Sequence, residues 1–414
     1  MIPCHTNNHL ILRDTPAMSR LVRSASMIDI YGLDQAAGTW RQKAAALAAD
    51  VVASHTMDVD TNARFPAEGI AALATGGFYG LCIDAGFGGQ GQGPATFAAV
   101  VEELARRCGS TAMVYVMHVA AARVIEASTT LPARAAVLRA ISEGKHLTTY
   151  ALSERGSRSQ FWAPVSKFEA QGNGYQTHAF KSWVTAAHHA DSYVASAQRP
   201  EAQSPLEFTM YLLPRTRSGV QHPGLFNGLG LRGNDSAPVV FEGVSVTQQD
   251  LLTEQGKGLE CALQVSIPWF NVGTAAMAHG LCLAAVEATA SHLQGTDFAH
   301  TGTGLRDLPN LRARLAEMSV ATEQSRALLG HTLRELAAPD EATPLWVLRT
   351  RMAALQTAVQ VTDLAMKTCG GAAFSRQLGV ERLFRDARAG WVMAPTVDHL
   401  ADFIGRALTG LPLL

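Results

Sequence analysis

Residues 230–260 read GLRGNDSAPVVFEGVSVTQQDLLTEQGKGLE, and within that stretch the chain changes character. The run PVVFEGVSV (238–246) has the alternating texture of a half-buried strand. From Gly256 onward apolar residues recur at helical spacing instead. The opposite change lies near Leu147. Between Leu147 and Leu251 Gly, Pro, Ser and Thr rise, and the short alternating runs YQTHAF, SYVASA and FTMYLL are separated by turn residues. This segment predicts a compact β unit set into a chain that is otherwise helical.

Outward from it, helices dominate. Residues 37–56, AAGTWRQKAAALAADVVASH, carry an Ala-rich helical pattern. Pro66 reads as the first helical residue of a short helix through about Ala74. Five glycines between Gly86 and Gly93 break the pattern. After Pro94 come ATFAAVVEELARRCG and STAMVYVMHVAAARVIEAS, apolar on most faces and therefore interior, with Ser110 as the expected N-cap of the second. On the C-terminal side four long helical segments are expected, at roughly 259–294, 307–337, 343–369 and 395–409, with Pro268 kinking or splitting the first. The predicted class is mainly α with a β insert. Residues 1–146 form an N-terminal helical domain, 147–254 a central, small β-barrel-like domain, and 255–414 a C-terminal four-helix bundle. The crevice between such units is where ligands usually sit.

Composition narrows the function classes. A chain of 414 residues, 47% hydrophobic and 17% charged, has material for two or three packed units. A net charge of −1 and a pI near 6.9, without clustered Lys or Arg, exclude a nucleic-acid track and an anionic membrane as partners. No uninterrupted apolar run approaches the ~18 residues of a spanning helix. The opening MIPCHTNNHLILRDTP lacks a basic region followed by an apolar one, so a short disordered leader and a cytoplasmic location are expected. Cys4, Cys82, Cys108, Cys261, Cys282 and Cys369 have neither zinc spacing nor a CxxC pair, and reduced thiols follow. The neighbours His188 and His189 point apart in regular backbone, so no metal site is expected.

Five blocks, in order, resemble the acyl-CoA dehydrogenase superfamily: GFYGLCIDAGFGGQG with AAVVEELARRCGSTAMVYVMH, TYALSERGSRSQ, FKSWVTAAHHAD, the 230–260 stretch, and CGGAAFSRQLGVERLFRDAR. The resemblance covers nearly the whole chain and implies FAD. It places Ser153, Trp183 and Thr185 at the flavin ring, where a hydroxyl donor and a flat apolar wall are needed. It places Ser159 at the pyrophosphate, and Gly370 and Gly371 beside the adenine-side phosphates of a neighbouring subunit's FAD. Phe298, Lys367 and Thr396 complete the implied cofactor set. A homo-oligomer, dimer or tetramer, is implied in the same way.

The departures bear on chemistry. The family's catalytic glutamate falls at Ala394, and the alternative position on the first bundle helix falls at Phe270. Neither accepts a proton, although α-proton removal needs a base within hydrogen-bond reach. The bundle also lacks an adenine-side arginine, with Pro309 and Lys367 where the family has glutamines. Arg155 and Arg158 replace a proline and a glycine; they either clamp an anion or form surface ion pairs. His118, His188 and His399 are the candidate replacement acids or bases. Three readings follow. One is a flavin-dependent monooxygenase or atypical oxidase, whose dry, carboxylate-free pocket suits oxygen chemistry, acting on a small-molecule substrate with a separate flavin reductase. The second is a divergent acyl-thioester dehydrogenase with another base. The third is a non-redox enzyme or interaction subunit.

Overall fold

A computed structural model describes residues 29–414. The leader and Cys4 lie outside the described residues.

The β unit forms where the alternating runs place it. Its strands are β1 (Thr148–Ala151), β2 (Phe168–Gln171), β3 (Gly174–Val184), β4 (Ser192–Gln198), β5 (Phe208–Pro214), β6 (Val220–Gln221) and β7 (Ala237–Thr247). They make two sheets, ordered β1–β4–β5 and β2–β3–β7–β6, with β1 parallel to β4 and every other pairing antiparallel. Bridges Glu154–Lys181 and Lys167–Gln198 link elements of the two. β7 alternates in burial, as its sequence does, whereas every residue of β4 is buried. A strand with both faces covered needs no polar alternation.

The N-terminal helices are α1 (Gln35–Leu47), α2 (Ala53–Thr61), α3 (Ala67–Thr75), α4 (Pro94–Ala105), α5 (Gly109–Ala127) and α6 (Arg134–Ser142), with a π-turn over Ala48–Val52 joining α1 to α2. Asp34 caps α1 by accepting from the Ala37 N–H at 2.8 Å. Two expected boundaries shift. Pro66 precedes α3 rather than opening it. Helix α5 starts one residue before Ser110, whose hydroxyl instead accepts the Gly233 N–H at 3.1 Å. Gly109 fits that start because a Cβ there would sit 2.9 Å from Leu231 and 3.0 Å from the Asp386 carboxylate.

The bundle comprises α7 (Gly258–Cys261), α8 (Ile267–Gly295), α9 (Pro309–Ala337), α10 (Thr343–Cys369), α11 (Gly371–Phe374), α12 (Val380–Val392) and α13 (Val397–Leu408). The four expected segments are present as α8, α9, α10 and α13, and α12 is a further element between the last two. Pro268 does not split its helix. A π-turn over Ala262–Ser266 runs directly into α8, and this bulge just before the proline is where the continuous helix accommodates a residue without an N–H. The stretch Gly258–Gly295 is long and apolar enough to cross a membrane, which corrects the expectation drawn from uninterrupted runs; 72% of its most apolar window is buried inside the fold, as in a core helix.

One buried charge network joins the N-terminal helices to the bundle. The Glu102 carboxylate on α4 accepts from Arg326 of α9 at 2.8 and 2.9 Å and from the Tyr31 hydroxyl at 2.5 Å. Burial alone would raise this carboxyl, but Arg326 and the two side-chain hydrogen bonds hold it below its usual range.

Candidate active site

A cavity of about 610 Å³ lies where the β unit meets α5, α8 and the segment after α12. This is within the range of small-molecule and cofactor sites, about 300–1,000 Å³. The β-unit wall carries Ser153, Ser159, Trp183, Thr185 and Ser236. The helical wall carries Met113 and Met117, one turn apart on α5, and Ser266 and Phe270, one turn apart at the start of α8. Met393 and Ala394 close it.

The two walls differ in how they are held. On the β side, Glu154 accepts the Val165 N–H at 2.7 Å, the Ser166 N–H at 2.8 Å, the Ser166 hydroxyl at 2.5 Å and Lys181 Nζ at 2.5 Å. Lys181 is fully buried and also donates to the Ser196 carbonyl at 2.7 Å. Burial would raise Glu154, but Lys181 and the hydrogen bonds outweigh it and hold the carboxylate below its ordinary range. Trp183 stands on this platform with 64% of its surface exposed, an indole face with room for a planar ring. The Thr185 hydroxyl meets that of Ser236 at 3.1 Å.

On the helical side the governing group is Arg351 of α10, fully buried behind the wall. It donates to Asn271 Oδ1 and to the Met393 carbonyl, both at 3.1 Å, and its guanidinium lies 4.7 Å from the Phe270 ring centroid. Its Nε has no partner, and no carboxylate pairs with it among the described residues. Burial alone lowers its pKa to about 9. The Ser266 hydroxyl, also buried and lining the cavity, neighbours the Tyr150 hydroxyl.

The structure brings Ser153, Ser159, Trp183 and Thr185 to one wall, and Phe270 and Ala394 to the other, as the sequence predicts. Arg155 and Arg158 sit exposed at the rim; neither forms an ion pair among the described residues, and Arg158 holds a φ of 50°. The expected ion-pair reading for them is therefore not met.

The three histidines are corrected. His118 is buried away from the cavity, its Nδ1 accepting the Thr148 N–H at 3.2 Å and its Nε2 contacting the Tyr79 carbonyl at 3.3 Å. Burial pushes its pKa down to about 3, so it stays neutral and fully used. His188 pairs with Asp235 at 2.8 Å on the outer side of the β unit and does not line the cavity. His399 packs against Trp162 and Phe403, outside the lining, with Nδ1 3.1 Å from the Thr396 hydroxyl. Thr396 is the N-cap of α13 rather than a cavity residue. Phe298, Lys367, Gly370 and Gly371 lie on the bundle, also outside the cavity, and all but Phe298 are exposed. Gly370 takes a φ of 57° at the end of α10, which a side chain would strain.

Two groups that shape the site escaped the sequence reading. The Glu154–Lys181 pair is formed by residues 27 apart and needs the sheet register to be seen. Arg351 carried a legible signal: it falls on the apolar face of α10 with Val347, Ala354, Leu355 and Ala358, where a charge is out of place.

Chemically, the cavity offers hydroxyl donors, a flat aromatic face and a dry helical wall. Glu154 is the one carboxylate in its lining, and all its acceptor capacity is taken. Among the described residues no free base lines the space. Groups of three or more His, Cys, Asp or Glu able to hold a metal ion are absent among the described residues.

Comparison with known proteins places this architecture. Residues 35–145 match the acyl-CoA dehydrogenase N-terminal domain, 149–244 the middle domain and 256–409 the C-terminal domain. Cyclohex-1-ene-1-carbonyl-CoA dehydrogenase of Geobacter metallireducens is 25% identical over 86% of this chain and 93% of its own length. Among solved structures, the FAD complex of PigA aligns with a TM-score of 0.85 at 18% identity, covering 92% of this chain and 99% of that one. The prolyl acyl carrier protein oxidase AnaB aligns with a TM-score of 0.82 at 19% identity, covering 91% and 100%.

Proposed function

The chain belongs to the acyl-CoA dehydrogenase superfamily, and from that premise we propose that it is an FAD-dependent oxidoreductase of the oxygen-using kind, a flavin monooxygenase or atypical oxidase. The observation that carries the reading is the cavity without a free base: Ala394 and Phe270 are apolar, and Glu154 is saturated.

The residues present fit the cofactor. Trp183 offers an uncovered indole face, and the side-chain hydroxyls of Ser153 and Ser159 make no hydrogen bond within the described chain. When bound, FAD supplies the electron transfer that no side chain here provides. Trp183 and Thr185 would hold its ring and Ser159 its phosphates. Met113, Met117, Phe270 and Met393 exclude water from the facing half. No lining residue holds or moves a proton, so a mechanism built on α-proton abstraction has no acceptor. A homo-oligomer is part of this reading, supported by apolar side chains bared on the C-terminal helices, Phe374 at 86% and Val392 at 75% exposure. So is a separate reductase as electron donor.

The second reading, a divergent acyl-CoA dehydrogenase, is favoured by the name of the Geobacter relative. One experiment separates them. The FAD-loaded protein is mixed anaerobically with acyl-CoAs of short to long chain, and separately its flavin is reduced chemically and exposed to oxygen. Retention of the oxidised flavin spectrum with every acyl-CoA, together with rapid reoxidation by oxygen, is the expected result. Bleaching by an acyl-CoA would establish the dehydrogenase instead, and failure to take up FAD at all would sink both.

A further inference from the structure

Between β6 and β7 the chain runs through HPGLFNGL (222–229) without regular structure. Its continuation toward β7 is pinned. The Leu231 N–H bonds Asp386 at 2.6 Å, the Gly233 N–H bonds the Ser110 hydroxyl at 3.1 Å, and Arg232 Nε donates to the Asp60 carbonyl at 2.8 Å. A Cβ at Gly230 would collide with the Arg385 carbonyl, so the backbone there is clamped against α12. Residues 223–229 are held by much less. Among the described residues their backbone makes no bond to other backbone, and Arg385 donates to the Leu229 carbonyl at 3.1 Å. Leu225 and Leu229 are 82% and 66% exposed. Few backbone bonds and little burial mark a segment that opens locally at small cost. Phe226 turns inward: it lines the cavity and meets Trp183 edge-on, with ring centroids 6.2 Å apart.

His222 closes the near end. Its Nε2 lies 2.8 Å from the Tyr193 hydroxyl of β4. That hydroxyl donates its own proton to the Ala187 carbonyl, so it accepts from His222, whose neutral ring therefore carries its proton on Nε2. The ring stands among other charges. His188, in the turn after β3, has its ring centroid 5.2 Å away and gives its Nδ1 to Asp235 at 2.8 Å. His189, next to it, is stacked on Phe65. Arg215, just beyond β5, donates to the Ala190 carbonyl at 2.9 Å. A second proton on His222 would set a further cation beside His188 and Arg215, against the Asp235 carboxylate. Burial, His188 and Arg215 hold His222 below its usual range and outweigh Asp235 and the Ala187 carbonyl.

We propose that residues 222–229 form a flap on the rim of the cavity, latched shut by neutral His222 on Tyr193 and released by acid. Opening exposes the His222 ring to water, where its ordinary basicity returns. Opening therefore takes up a proton and is favoured as pH falls. The flap controls passage past Phe226 and Trp183, and it rests on the fold rather than on the reaction run inside.

The test needs no turnover. Thermolysin, which cuts before large apolar residues, is applied briefly to the full-length protein at about pH 8 and about pH 5.5. Cleavage rates are divided by those of a free peptide spanning residues 220–231, which removes the protease's own pH dependence, and the sites are read by mass spectrometry. The expected result is cleavage before Leu225 or Phe226 that rises about tenfold on acidification. His222→Gln keeps a donor for Tyr193 without a ring that titrates, and is expected to be cut slowly at both pH values. Tyr193→Phe removes the acceptor, and is expected to be cut fast at both. Should Tyr193→Phe fail to fold, the wild type and His222→Gln still decide. No acid rise in the wild type, or an equal rise in His222→Gln, overturns the proposal. Cleavage spread along the chain instead of confined to this segment overturns it as well.

Discussion

The two walls of the cavity keep their charge in opposite ways. On the β side a buried lysine and a buried glutamate neutralise each other, and every donor and acceptor around Glu154 is matched. On the helical side a buried arginine donates only to neutral acceptors, Asn271 Oδ1 and the Met393 carbonyl, and no carboxylate pairs with it among the described residues. The first wall is closed on itself; the second keeps its charge against neutral partners. The platform that would hold the flavin is fixed by the fold alone, while the facing wall carries the apolar Phe270 and Ala394 with a buried cation behind them.

The contrast can be broken at its strongest point first. Lys181→Met strands the Glu154 carboxylate in the interior, and loss of about 3–5 kcal/mol of stability is expected, read by urea unfolding. A loss under about 1 kcal/mol would mean that the pair is not what holds this wall.

The walls meet at Asp386 of α12, which accepts the Leu231 N–H at 2.6 Å and so pins the loop before β7 to the bundle. Burial raises this carboxyl from 3.8 to about 6. The folded protein therefore keeps a proton there over a range in which the unfolded chain has lost it. Stability from this group is present at low pH, falls as pH rises from about 4 to about 6, and is constant above. Asp386→Asn should remove that slope, worth roughly 2–3 kcal/mol across the window. Unfolding free energies of both proteins at several values from pH 4.5 to 7.5 check it, and parallel profiles would refute it.

The smallest effect sharpens the division of labour. Trp183→Ala should weaken FAD about tenfold, the loss of a stacked aromatic face, and Phe270→Ala should leave FAD affinity within about twofold. Fluorescence titration reads both. Equal losses would erase the distinction between a cofactor wall and a substrate wall.

Much of the cavity's β side was legible in the sequence. The alternating runs located the strands, and the order of short motifs brought Ser153, Ser159, Trp183 and Thr185 together before the sheet register was known. The emptied base positions were equally plain, because an alanine and a phenylalanine cannot be read as acids. The histidines were not legible. Position near a motif does not say which way a ring points, and His118 turns out to bond the backbone of Tyr79 and of Thr148 at the start of β1. Helix α12 stood apart from the expected bundle because its strong amphipathic face follows a turn-rich segment and faces the loop that Asp386 holds. Arg351 was visible as a charge on an apolar stripe, but its meaning needed the distance to Phe270 and the absence of an acid beside it.

The Glu102–Arg326 contact has a consequence for anyone who would take this molecule apart. Its partners lie 224 positions apart, on either side of the whole β unit. A chain cut at the sequence boundary near residue 255 would separate the two, leaving Glu102 with Arg41 and Tyr31 in one fragment and Arg326 with Glu323 in the other, each short of its strongest partner. The three segments can be told apart by eye along the sequence, yet the outer two share this buried contact; a fragment ending before the bundle should be less stable than the intact chain, and mixing the two halves should restore the contact that neither holds alone.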